Sequence, residues 1–575
     1  MKLMTTTLEP THLSTDVLII GAGGAGMYAA IEAAKAGSNV LLADRSLIGR
    51  SGATVMAMMT VAVALGSQGP DAPAHHLADT LASGRGLCDE RLARMLCEDG
   101  PECILELDEW GAGWARENGA IKSAHAPGHD RPRCVYVDFL NTGPAVSKTL
   151  RKVLHRHDSV RRVGDLLIVD LIKSKGVVTG AVAIEISTGR PVTIAAKATI
   201  IATGGLTRLY RRSSASFNMS GDGYALAMRA GARLIDMEFV QFFPIGHLAP
   251  RLIGLDPIMW DPFRYKLGGR LLNGNMEEFT ERYGSSEDGR YVITRDAATY
   301  AITKEVAAGR GTPSGGAYLS FMHLSAETLN EAFGPVIKKL MANGIDLTKM
   351  PIEVSPIAHY HMGGVAVDEQ MGTGIPGLYA AGEAVGGANG ANRLSGNAIT
   401  EVLAFGRRAG RSAAASVQNT VDQPEFDPAD AQAALERVQH ADPDTRGWSI
   451  NTAAMIAELQ ATMSDYVGPF KTEAGLKTAL ESIADLEDRL GDVPPGQPGA
   501  FEPSRIDWFD LRTMLPVARV VTQAALARTE SRGAHQREDH PGMLDEWRCN
   551  QFVEWEADSP TIVRGSTITT QETAA

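Results

Sequence analysis

The chain has 575 residues, too many for one ordinary domain, so two or three are expected. Its 44% apolar and 21% charged residues describe a globular protein, and a net charge of −13 argues against a nucleic-acid surface. Its five cysteines include no CxxC pair, which speaks against zinc or iron–sulfur ligation within the chain and suits a reducing compartment. Met1–Thr15 has no apolar core of the kind a secretory signal needs, and no apolar run is long enough to span a bilayer. The expectation is a soluble, cytoplasmic protein with no transmembrane segment, still able to dock on another protein.

The first element is an apolar strand from Asp16 to Ile20 that runs into a glycine turn. In Gly21-Ala22-Gly23-Gly24-Ala25-Gly26, Gly21 permits a tight turn and Gly23 lets backbone approach a pyrophosphate. Gly26 lets helix and strand pack closely. A helix over Met27–Lys35 follows, and its N-terminus offers free N–H groups and positive dipole to phosphates. A second strand, Asn39–Ala43, ends in Asp44, at about the twenty-residue distance expected of an acid that holds a ribose. The set predicts a dinucleotide site.

A β-rich block comes next. Leu166–Lys173, Val177–Ile186 and Val192–Ala195 read as a meander, closed by a separate apolar strand Ala198–Ala202 and the turn Thr203-Gly204-Gly205. That ending suits a flavin protein in which the chain returns beside the cofactor. Residues 246–357 are mixed and lack βαβ order, so they read as an inserted domain. The chain then returns through His359–Asp368 and Gly377-Leu378-Tyr379-Ala380-Ala381-Gly382-Glu383. Beyond about Val421 the apolar spacing is helical, clearest in Asn451–Met463, Ala474–Leu490 and Trp508–Arg528, with Val493–Gly499 as a connector. The predicted fold is α/β: a Rossmann-like FAD-binding domain with a β-meander (1–245 and 358–420), an inserted α+β capping domain (246–357), and a C-terminal helical domain and tail (421–575).

Five segments carry a resemblance over Asp16–Trp547: Asn218–Gly223 (NMSGDG), Asp236–Pro244 (DMEFVQFFP), His359–Gly364 (HYHMGG), Asn389–Asn397 (NGANRLSGN) and Glu530–Asp539 (ESRGAHQRED). With them the chain resembles the flavoprotein family of succinate dehydrogenase, fumarate reductase and L-aspartate oxidase. The resemblance implies FAD, a mobile cap, and two-electron chemistry at the carbon–carbon bond of a small dicarboxylate. It implies that Arg295 carries the substrate proton, that His359 binds a carboxylate, and that Arg393 clamps one. A guanidinium and an imidazole are apt donors for a carboxylate. An arginine's pKa exceeds about 12, so Arg295 needs a second group to reprotonate it. Asp261 and Arg264 keep the acid–arginine spacing of the family's relay, after a one-residue shift.

Cofactor contacts are expected from Gly21, Gly23, Gly24, Ala25, Gly26, Asp44 and Arg45 on the ADP half. Ser51, Gly52, Ala53, Thr203, Gly204 and Asp222 are expected nearer the flavin and phosphates. Gly382 and Glu383 should meet the ribityl chain, and Arg393, Ser395 and Asn397 the flavin ring. No metal ligands are expected.

Departures from the family bear on substrate. Arg50-Ser51-Gly52-Ala53-Thr54 lacks the histidine that links FAD covalently in the dehydrogenases, so FAD should be non-covalent. The usual Gln-Gly-Gly is replaced around Met58-Met59-Thr60. The family's carboxylate-binding histidine is Phe243 here, and its following threonine is Ile245. A phenylalanine cannot donate to a carboxylate. One end of the substrate is therefore expected to be apolar or neutral, in a pocket that includes Phe243, Ile245, Trp260 and Tyr265, with His247 as an alternative donor.

The reading is an FAD-dependent oxidoreductase acting on CH–CH bonds of a succinate-like, fumarate-like or substituted carboxylic acid. Its electron partner, or oxygen, is left unnamed. Alternatives are an L-aspartate-oxidase-like enzyme, a flavoprotein subunit working with an iron–sulfur subunit, and a non-catalytic flavoprotein.

Overall fold

A computed structural model describes residues 8–138, 140–252, 258–260, 267–283, 295–419, 425–440, 450–556 and 559–567. The chain divides into two compact units, one of Met1–Arg211, Ala215–Val240 and Tyr360–Ala575, the other of Arg212–Ser214 and Gln241–His359.

The first unit is organised by a seven-stranded sheet. In order its strands are Val160–Val163, Val40–Ala43, Thr11–Ile20, Arg190–Ile201, Val177–Glu185 and Leu166–Ser174, with Leu378–Ala380 also pairing Arg190–Ile201. Val17, Leu18 and Ile19 are wholly buried, as a central parallel strand covered on both faces demands. Burying each such side chain contributes roughly 1.5–3 kcal/mol.

The meander's last strand corrects the sequence reading. Arg190–Ile201 is one strand rather than two. It runs antiparallel to Val177–Glu185, parallel to Thr11–Ile20, and at Thr199–Ile201 parallel to Leu378–Ala380. Lys197 looked like a break, but it is an exposed strand residue whose ammonium meets Asp16 at 2.9 Å.

The helix Gly24–Lys35 packs on the long helix Asn397–Asn419 through small residues. A Cβ at Gly406 would stand 2.6 Å from the Ala25 carbonyl oxygen, and one at Gly410 2.3 Å from that of Ala29. The two backbones approach that closely only because glycine occupies both positions. Further along come the helices Thr452–Tyr466, Glu473–Leu490 and Pro503–Ala527. Within the region expected to be a C-terminal helical domain and tail, Cys549–Glu556 and Ser559–Ser566 form a β-hairpin that extends a small sheet through Leu234–Ile235.

The second unit has its own sheet, in the order Val240–Ala249, Ile352–His361, Ala317–Ser320 and Arg270–Leu272. Buried Glu305 ties its loops and helix together by accepting from Arg310, Tyr283 and Asn273. Those hydrogen bonds, led by Arg310, pull its carboxyl down to about 2. Ile245 and Trp260 are fully buried, and Trp260 lies 6.1 Å from Phe321.

Candidate active site

Gly21, Gly23, Gly24 and Ala25 of the glycine turn line a cleft in the first unit. Gly21 has φ +99°, and a Cβ there would sit 2.4 Å from the Ala202 carbonyl oxygen. A Cβ on Gly26 would stand 1.9 Å from the Gly21 carbonyl oxygen. Gly23 differs: nothing lies within 4 Å of its Cβ position, because that position faces open space. The same holds for Gly52. Two glycines thus close the turn, and two leave room beside it.

Asp44 also lines the cleft. One carboxylate oxygen accepts from the Ala22 N–H at 2.7 Å, and the other from Ser46 N–H and hydroxyl at 2.8 and 3.0 Å. Three of about four acceptor positions are filled, which leaves one for a ligand hydroxyl. Arg45 also lines the cleft, with its guanidinium forked onto buried Asp510 at 2.6 and 2.9 Å.

The opposite wall carries Thr203, Gly204, Asp222 and Glu383. Burial pushes Asp222 up to about 6, with Arg45 opposing the rise. Burial likewise pushes Glu383 up to about 7, against the His361 N–H that donates to it at 3.1 Å and the positive charge of Arg393. Gly205 and Gly223 make room for this wall: a Cβ would meet Glu383 Oε1 at 2.4 Å and Thr203 Oγ1 at 2.1 Å respectively.

FAD fits these residues. Thr203 Oγ1 is buried without a hydrogen-bond partner while its residue lines the cleft. The open Cβ positions of Gly23 and Gly52 give the backbone a ligand to approach.

The cleft brings together Gly21, Gly23, Gly24, Ala25, Asp44, Arg45, Ser51, Gly52, Ala53, Thr203, Gly204, Asp222 and Glu383. Gly26, Gly382, Arg393, Ser395 and Asn397 are outside its lining. Asn397 is fully buried, its side chain bonded to His76 at 2.8 Å and Thr80 at 3.1 Å.

Arg393 is 9% exposed, and its guanidinium lies 4.5 Å from the ring centre of Tyr360. Tyr360 in turn donates its hydroxyl to Glu401 at 2.6 Å. The loop that carries Arg393 is pinned from two sides. The Ala391 N–H donates to the Gly84 carbonyl at 3.0 Å, and the Ala391 carbonyl accepts from Ala534 N–H at 2.9 Å. Gly533 permits that approach, because a Cβ there would stand 2.3 Å from the Ala391 oxygen. The segment Glu530–Asp539 therefore holds the arginine loop. Tyr360, Glu401, Gly84 and Gly533 were not singled out by spacing.

In the second unit, His359 Nδ1 is 2.8 Å from the Ser214 hydroxyl, which fixes the ring. Phe243 packs edge-on against that imidazole, ring centres 5.5 Å apart. His247 spends both ring nitrogens internally, on the Pro250 carbonyl and the Trp260 N–H, so its reading as a substitute carboxylate donor is set aside. Arg295 opens the helix Arg295–Ala307, with its side chain outside the described residues. Asp261, Arg264 and Tyr265 lie outside the described residues altogether.

A glycine-turn cleft lined by acidic residues, on a mixed sheet whose central strands are parallel, fits an FAD-binding domain. The model of the FAD binding domain family matches residues 16–399, and that of the fumarate reductase flavoprotein C-terminus matches 456–573. The chain belongs to the succinate dehydrogenase/fumarate reductase flavoprotein family and is an FAD-dependent oxidoreductase acting on CH–CH donors. An uncharacterized FAD-dependent oxidoreductase of Methanocaldococcus jannaschii is 36% identical, over 94% of this chain and 96% of its own. A subunit of the fumarate reductase (CoM/CoB) of Methanothermobacter marburgensis is also 36% identical, over 94% of this chain and 97% of its own. The Mycobacterium smegmatis Sdh1 structure with UQ1 superposes with a TM-score of 0.89 at 34% identity, covering 97% of this chain and 95% of that one. Among the described residues, no helix is long and apolar enough to cross a membrane.

Proposed function

We propose that this enzyme holds FAD without a covalent bond and saturates or desaturates a carbon–carbon bond beside one carboxylate, in an acid whose other end is neutral or apolar. The carrying observation is Phe243, which forms an edge-to-face pair with His359 at the position where the family resemblance expects a histidine. Bound flavin would exchange the electron pair as hydride at N5, giving it in the reduced form for saturation and taking it in the oxidised form for desaturation.

The chain's own residues do the rest. Arg393 takes the substrate carboxylate, since a guanidinium resting on an aromatic face presents its N–H fork in a fixed plane. His359, oriented by Ser214, donates a second hydrogen bond. Arg295 moves the proton at the neighbouring carbon, with Asp261 and Arg264 as the relay that reprotonates it. Gly52, in place of a linking histidine, leaves FAD held only by the cleft.

The test is anaerobic. The holoenzyme is reduced chemically, and fumarate or crotonate is added. Crotonate, with one apolar end, is expected to restore the oxidised flavin band faster than fumarate. Fumarate outpacing crotonate overturns the one-carboxylate reading. Acid precipitation of the protein is expected to leave the flavin in solution; flavin in the pellet overturns the non-covalent reading.

A second reading, that the chain is one component of a larger oxidoreductase, is favoured by the M. marburgensis relative, which is named as one subunit of a fumarate reductase. Co-purification of an iron–sulfur protein from the native source tests it.

A further inference from the structure

We propose that Tyr360 and Glu401 are positioning residues that set the plane and reach of the Arg393 guanidinium, and through it the affinity for the substrate carboxylate. The proposal rests on the reading of Arg393 as the carboxylate clamp.

The geometry is a stack of three groups. The Arg393 guanidinium lies 4.5 Å from the Tyr360 ring centre. A flat cation over a ring face takes its plane from that ring, and Arg393 also donates to the Leu394 carbonyl at 3.3 Å. The Tyr360 hydroxyl holds the ring in place by donating to Glu401 Oε2 at 2.6 Å. The same oxygen accepts from Asn389 Nδ2 at 2.5 Å, and Asn389 belongs to the loop that carries Arg393. Glu401 is the fifth residue of the helix Asn397–Asn419, which follows that loop. The ring is packed into a buried apolar cluster with Leu87, Phe239, Met362 and Ala391. Platform and loop therefore share one anchor.

The charge arrangement gives Glu401 a second role. Tyr360, Asn389, Glu383 and Arg393 are the groups that act on its carboxyl. Burial pushes it up to about 8, with the Tyr360 and Asn389 hydrogen bonds and Arg393 opposing, and Glu383 adding to the rise. Below that pH Glu401 is neutral and still accepts from Tyr360, so it does not compete with a carboxylate for the charge of Arg393. Above it, an ionised Glu401 competes for the same charge in a poorly solvated interior. Carboxylate binding should weaken as pH rises past about 8.

The experiment titrates the oxidised holoenzyme with crotonate and with fumarate, read as the flavin difference spectrum, in the unaltered protein and four variants. Arg393→Lys tests the underlying reading and is expected to weaken binding by about 100-fold. Tyr360→Leu and Glu401→Leu are expected to raise the Kd by about tenfold, with bound FAD retained and the rate of flavin reoxidation at saturating acid within about threefold. Glu401→Gln, which keeps an acceptor for Tyr360, is expected to recover most of that loss and to abolish the weakening at alkaline pH. A strong Arg393→Lys effect beside unchanged Kd values in Tyr360→Leu and Glu401→Leu overturns the platform while leaving the clamp. An inert Arg393→Lys, or no binding of either acid by the unaltered protein, overturns the clamp and the platform with it. If the leucine variants lose FAD, the pH profiles decide: an identical alkaline rise of Kd in the unaltered protein and Glu401→Gln overturns the proposal.

Discussion

The FAD cleft and the Phe243–His359 pair are built by opposite means. The cleft is made of backbone: four glycines decide where the chain turns and where a ligand can approach. The pair is made of side chains from strands far apart in sequence, Val240–Ala249 and Ile352–His361. A backbone site tolerates variation in side chains around it, so its signature persists. A side-chain site changes its chemistry with one residue, as Phe243 does. The cofactor is therefore legible at the level of the family, whereas the substrate depends on single positions.

The sharpest way to break the comparison is a pair of glycine variants. Gly26→Ala puts a methyl 1.9 Å from the Gly21 carbonyl oxygen, so it is expected to abolish both folding and FAD binding. Gly23→Ala meets nothing within 4 Å and its φ of −70° is open to alanine, so the apoprotein should melt as before. Its added methyl enters the open space expected to take the pyrophosphate, so affinity for FAD should fall by about 100-fold. Flavin absorbance per protein, beside a thermal melt of the apoprotein, checks both. Full FAD content in Gly23→Ala would mean that the cofactor passes elsewhere.

Arg393 comes next in size. Replacing its fork by a point charge should cost roughly 3 kcal/mol, about 100-fold in kcat/KM for a carboxylate substrate. FAD content should not change, because Arg393 is outside the cleft lining. Steady-state kinetics with a reduced dye as electron donor measures the loss.

These two predictions mark how far the sequence could be read. The glycine turn was legible because its constraint is local: Gly21 and Gly26 answer to each other within one turn. Asp44 was legible for the same reason, at the end of the neighbouring strand. The platform beneath Arg393 was not, because Tyr360 and Glu401 are 41 residues apart and neither type announces a hydrogen bond to the other. The segment Glu530–Asp539 was visible as a motif, but its work was not, since Gly533 serves a carbonyl in a remote loop. The split of Arg190–Ile201 came from taking a charged residue as a turn, where Lys197 merely reaches Asp16 at the surface. The polar C-terminal hairpin has no apolar alternation on its outer strand, whose residues are mostly exposed or half-buried.

The acidic wall of the cleft has its own consequence in the apoprotein. Asp222 ordinarily titrates at 3.8 and is raised by burial to about 6. The folded chain thus keeps a proton that the unfolded chain has lost between those values. Stability should fall as pH rises through that window and level off above it. Asp222→Asn does not titrate there, so its stability advantage should grow from pH 4 to pH 7 by on the order of 2–3 kcal/mol. Denaturant unfolding of both apoproteins at the two pH values measures it. Parallel behaviour would mean that Asp222 is ionised in the folded state throughout.

The smallest effect is the most specific to substrate. Phe243→His places an imidazole where the family resemblance expects a carboxylate-binding histidine, beside an imidazole that Ser214 already holds in place. Phe243 is 8% exposed, and histidine is smaller, so the exchange should be accommodated without repacking. One new hydrogen bond to a charged carboxylate is worth about 1.5 kcal/mol net of desolvation, so KM for fumarate should fall by about tenfold. KM for crotonate should rise, because its methyl end loses an apolar neighbour. A reversal of preference between the two acids would locate the difference between this enzyme and a dicarboxylate reductase in one side chain. An equal effect on both would mean that Phe243 orients His359 and leaves the far end of the substrate to other residues.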